Sequence, residues 1–63
     1  MRKEFKLSLT SKFDNEEVEY FFLSEYAALS AAKELNKNEK VKVTVDQSTS
    51  KPGKWGRIAT YDA

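Results

Sequence analysis

Apolar and polar residues alternate in four short stretches of this chain and recur at helical spacing in one longer stretch. In 4–10, EFKLSLT, Phe5, Leu7 and Leu9 point one way and Lys6, Ser8 and Thr10 the other, the period of a half-buried strand. In 17–23, EVEYFFL, both faces carry apolar residues. Val18, Tyr20 and Phe22 are assigned inward, because the opposite choice buries Glu17 and Glu19 without partners. Phe21 and Leu23 are then left outside, or at the sheet end under the start of the helix. In 41–46, VKVTVD, Val41, Val43 and Val45 face in and Lys42, Thr44 and Asp46 face out, which makes this the clearest strand. In 55–61, WGRIATY, Ile58 and Thr60 face in, with Trp55, Arg57, Ala59 and Tyr61 out; a bulge at Gly56 would carry Trp55 to the other face.

Residues 24–36, SEYAALSAAKELN, form the one convincing helix. At 100° per residue Ala28, Ala31, Ala32 and Leu35 fall together with Leu29 at their edge, while Tyr26, Ser30, Lys33 and Lys37 fall opposite. Ser24 is placed to accept from an orphan N–H as N-cap, Glu25 suits the positive end of the dipole, and Asn36 or Asn38 supplies a left-handed stop. Asp14-Asn15 within 11–16 is a turn signal. The polar stretch 47–54, QSTSKPGK, holds the single Pro and one of the two Gly, and reads as a loop.

The order is β-β-α-β-β in a single α+β domain spanning 1–63. Two hairpins flanking a helix close into one four-stranded sheet if the first and fourth strands lie parallel at its centre, giving the order 2-1-4-3. The same elements in another strand order are the alternative. In length and element order the chain is similar to small β-grasp domains, including the bacterial immunoglobulin-binding domains. That resemblance implies a four-stranded sheet covered on one face by one helix, and implies no function.

Composition narrows the chemistry. A chain of 63 residues buries only about 60% of its unfolded surface, so little is left over to wall a deep pocket. Without Cys there is no disulfide, thiolate chemistry or cysteine-ligated zinc, and without His the commonest general base and metal ligand are missing. The expectation is a protein that is not an enzyme and uses no cofactor or metal. The basic start at Met1 is not followed by an apolar run of signal-peptide length, and the expected compartment is the cytoplasm.

Charge is sorted along the chain although it nearly cancels overall, at +1. Residues 1–12 carry +3. Residues 13–34 carry −5, from Asp14, Glu16, Glu17, Glu19, Glu25 and Glu34 against Lys33. Residues 35–63 carry +3.

Four features could carry function. The carboxylates Asp14, Glu16, Glu17 and Glu19 match the spacing of no metal loop and read as a solvated hairpin end. Gly53-Lys54-Trp55-Gly56 has a Gly-x-x-Gly spacing that lets backbone approach a phosphate, but a strand follows it; a hairpin with Gly where the turn needs it is the plainer account. The third is the sheet face left open by the helix, with Lys6, Lys42, Arg57, Tyr61 and Trp55, joined by Phe21 and extended by Lys51 and Lys54 from the loop. Rings among cations suit a protein partner, since Trp, Tyr and Arg dominate interface energetics, and they suit stacked single-stranded nucleic acid. The expectation is a small protein-binding module, an inhibitor, adaptor or accessory factor of a larger protein or complex. The alternative is a single-stranded nucleic-acid-binding domain using the same face and the 51–57 basic loop. No membrane or small-molecule substrate is expected. Tyr26, on the outer side of the helix, is a secondary partner contact.

Overall fold

The computed structural model describes residues 3–62. Its elements are β1 (Phe5–Thr10), β2 (Glu17–Phe22), α1 (Glu25–Glu39), β3 (Val43–Ser48) and β4 (Trp55–Tyr61). They make a small α+β domain with one open four-stranded sheet and one helix.

The strand order is β2-β1-β3-β4, with every neighbouring pair antiparallel. This corrects the expected 2-1-4-3 order, in which β1 and β4 were parallel neighbours. The reason lies in which strands can fill the centre. β1 and the first half of β3 carry the most buried apolar side chains: Leu7, Val43 and Val45 are fully buried, and Phe5 and Val41, the latter just before β3, nearly so. β4 offers Gly56, Arg57 and Thr60 and is interrupted by a bulge, so it serves as an edge. Pairing β1 with β3 puts Leu7 opposite Val45 and Leu9 opposite Val43 directly beneath the helix.

The helix packs Ala28 and Ala32, both fully buried, onto that centre, and their small side chains let it lie close. Ser24 caps it, its Oγ accepting from the Ala27 N–H at 3.3 Å. It runs past the expected stop to Lys40, whose φ of 54° closes it as its N–H donates to the Asn36 carbonyl. Asn36 has a different task. Its Nδ2 donates to the carbonyls of Val41 at 2.8 Å, Asp62 at 2.9 Å and Tyr61 at 3.3 Å, tying the helix end to the start of β3 and the end of β4.

Both hairpin connections follow from turn chemistry. In 11–16, Asn15 sits at φ 57°, the Asp14 carboxylate accepts from the Glu16 N–H, and Ser11 N–H donates to the Glu16 carbonyl at 2.9 Å. At the tip of 49–54, Lys51-Pro52-Gly53-Lys54 is a type II turn. Pro presets its second residue, Gly53 takes φ 78°, and Lys54 N–H donates to the Lys51 carbonyl. The Thr49 hydroxyl lies within hydrogen-bonding distance of the Lys51 and Lys54 carbonyls, so the loop is pinned by its own side chain.

Candidate functional site

Register decides which side chains share a face. On β1 and β2, Lys6 lies opposite Phe21 and Ser8 opposite Glu19. On β1 and β3, Lys6 lies opposite Asp46. On β3 and β4, Asp46 pairs with Arg57 and Ser48 with Trp55. Lys6, Glu19, Phe21, Asp46, Trp55 and Arg57 therefore lie on the sheet face away from the helix, the face expected to be free.

The bulge changes one member of the expected set. Val45 pairs with Ala59 but Asp46 pairs with Arg57, so the extra residue falls at Ile58 and not at Gly56. Beyond it the side-chain alternation is inverted. Trp55 and Arg57 keep the open face, whereas Ala59 and Tyr61 turn to the helix side and pack against the core, and Thr60 points outward. Tyr61 is thus removed from the open-face group.

The open face is internally satisfied. Lys6 Nζ stands 4.7 Å from the centroid of the Trp55 ring and 3.6 Å from Glu19 Oε2. Phe21 and Trp55, from opposite edges of the sheet, meet with ring centroids 6.3 Å apart at a 50° tilt. Arg57 Nε donates to Asp46 Oδ1 at 3.0 Å, and Asp46, expected to point freely into solvent, is only 8% exposed. Lys6 and Arg57, two of the cations expected to attract a ligand here, already have partners. Lys42, Lys51 and Lys54 are exposed and in no ion pair among the described residues, but Lys51 and Lys54 stand on the type II turn, where Gly53 serves the backbone conformation.

A second region stands out, which takes in the expected Phe21 and Tyr26 and adds three residues not anticipated as contacts. The large apolar side chains left exposed are Phe13, Tyr20, Phe21, Leu23 and Tyr26, with Phe13 98% and Tyr26 82% accessible. Four belong to β2 or to the segments entering and leaving it, and Tyr26 to the first turn of α1. On the helix side of the sheet, beside β2, a groove of about 270 Å³ opens between Leu9, Val18, Tyr20, Leu35 and Val41, with Phe13 and the polar Ser11, Lys12 and Glu39 also lining it. The helix covers the centre of the sheet and leaves this flank bare. The signal available in sequence was the surplus of apolar residues on both faces of 17–23. The expected order already put β2 at an edge, where it lies; what the period did not show is how little the helix covers its inner face, where Tyr20 is 47% exposed.

The carboxylates Asp14, Glu16, Glu17 and Glu19 line the same edge. Only Glu19 is ion-paired among the described residues, and no metal-holding group of acidic side chains forms among them. Among the described residues no helix is long and apolar enough to cross a membrane. In comparison with known proteins, no family model, curated protein or solved structure matches the chain, so its functional reading rests on its own residues.

Proposed function

We propose that the chain is a small non-enzymatic protein-binding module, an inhibitor, adaptor or accessory factor of a larger complex acting in the cytoplasm. The observation that carries this reading is that the large exposed apolar side chains lie on or next to one edge strand, Tyr20 and Phe21 on its two faces, Phe13 before it and Leu23 and Tyr26 after it. Large apolar exposure grouped along one element points to an interaction surface, whereas single exposed residues need no explanation. The contact is therefore moved from the middle of the open face to the β2 side of the molecule. Tyr26 joins it as a neighbour of the strand's exit, and Trp55 reaches it only through Phe21.

The alternative, a single-stranded nucleic-acid binder, draws on exposed Lys51 and Lys54 beside Trp55. Against it stand the pairing of Lys6 with Glu19 and of Arg57 with Asp46, which cancel the cations nearest the rings.

Affinity capture from a lysate of the encoding organism, with nuclease present, tests the reading against a Tyr20→Ser/Leu23→Ser variant. The unsubstituted chain retains a protein partner that the variant, still folded by circular dichroism, releases. Retention of labelled DNA or RNA oligomers at low salt, lost steeply as salt rises, with no retained protein, would put the alternative in its place.

A further inference from the structure

The phase of the backbone ladder shows what β2 offers. Ser11 N–H donates to Glu16 O at 2.9 Å and Ser48 N–H donates to Glu4 O at 2.8 Å. In an antiparallel ladder these bonds recur at every second residue, so the odd residues of β1 exchange hydrogen bonds with β2 and the even residues with β3. Within β2, Val18, Tyr20 and Phe22 therefore turn their N–H and C=O toward β1. Glu17, Glu19 and Phe21 turn theirs outward, with no strand beyond them. The strand is regular throughout and carries no Pro, Lys or bulge, the usual devices that block an edge.

We infer that β2 receives an extended basic strand of a partner protein as a fifth strand of the sheet, an inference that rests on the protein-binding reading and specifies its mode. The side chains on either side of β2 dictate the alternation of that strand. On the helix side, Val18 and Tyr20 border the groove, whose floor is apolar although Lys12 and Glu39 also line it, and call for apolar residues at every second position. On the open side, Glu17, in no ion pair among the described residues, and Glu19, which shares its carboxylate with Lys6 at 3.6 Å, call for Lys or Arg at the positions between. The surrounding segment 13–34 carries −5, which attracts a cationic strand over a longer range. The same charge argues against a second copy as the occupant. Twofold pairing of β2 with itself sets two −5 segments side by side, and one of its registers places Glu19 opposite Glu19.

The probe is a synthetic peptide alternating lysine with valine, titrated into the isotopically labelled full chain at low salt and followed by amide NMR. The expected result is that the amides of Glu17, Glu19 and Phe21 shift and become protected from exchange, while those of Trp55–Tyr61 do not. A glutamate–valine peptide binds far more weakly. Glu17→Gln with Glu19→Gln weakens the lysine peptide by roughly 2- to 30-fold. Glu19→Pro removes an outward N–H that β1 does not use, and abolishes binding with the melting transition retained. Mapping on the unsubstituted chain does not depend on that variant folding. No binding by the lysine peptide, shifts confined to other surfaces, equal binding of the glutamate peptide, or a chain that sediments as a β2-paired dimer would each overturn strand addition. A captured partner lost in Tyr20→Ser/Leu23→Ser but kept by Glu19→Pro would also overturn it, while leaving the protein-binding reading intact.

Discussion

The sheet has two edges, and they are built differently. β4 carries Gly56, a bulge at Ile58, Arg57 held by Asp46, and a pinned turn leading into it, and its far end is tied to the helix by Asn36. β2 is regular and acidic, with Tyr20 and Phe21 exposed on its two faces and Phe13 and Leu23 exposed beside it. Both strands are equally peripheral, but β4 is interrupted in its backbone, whereas β2 is regular and its carboxylates oppose only an acidic chain. The comparison teaches that exposure of β2 is not the inevitable result of a small core. The chain closes one edge and leaves the other able to pair.

Substitutions that separate the two edges from the centre sharpen this contrast. Leu7→Ala should destabilise by about 2–5 kcal/mol, a large part of what so small a domain has, because Leu7 is fully buried between β1 and the helix. Urea unfolding of Leu7→Ala beside Val18→Ala measures how much less β2 contributes. A loss at Val18 as large as at Leu7 would mean that β2 is core and not a free edge. Next comes Tyr20→Pro, which should cost about 1–3 kcal/mol by leaving a β1 acceptor unpaired, while Glu19→Pro stays within about 0.5 kcal/mol. Equal losses at the two positions would break the assigned ladder phase. Asn36→Ala should also cost about 1–3 kcal/mol, and hydrogen exchange should speed up at the end of β4 while β2 amides keep their rates. Gly53→Ala forces a side chain into φ 78°, for about 1–2 kcal/mol, read from the thermal midpoint, and should leave peptide binding at β2 unchanged. The smallest effect is expected from Phe13→Ser, within about 0.5 kcal/mol, since Phe13 is 98% exposed.

Local chemistry was legible in the sequence where it depended on neighbours a few residues away. The period of β1, β2 and β3, the Ser24 cap, the Asn15 turn and the role of Gly53 all follow from such short-range rules. What was not legible depends on residues far apart. Asp46 reads as a solvated strand residue until Arg57 is beside it, and Asn36 as a helix stop until Tyr61 and Asp62 arrive. The bulge in β4 is one extra residue that no alternation pattern announces. It left Trp55 and Arg57 on the open face and turned Tyr61 to the helix side. The candidate site shifted for a related reason: the period finds which face a residue takes but not how far the helix covers that face, so Tyr20 on the inner side of the expected edge strand stays 47% exposed.

The contact between Phe21 and Trp55 has a practical consequence. Trp55 is the only tryptophan in the chain, and it lies against the one apolar side chain of β2 whose backbone also faces outward. Its indole is further polarised by Lys6 above the ring. Any chain that seats itself along β2 must press on Phe21 and alter the surroundings of that indole. The molecule thus carries its own optical probe: emission from Trp55 should change in wavelength or intensity as the edge is occupied, without a dye or tag.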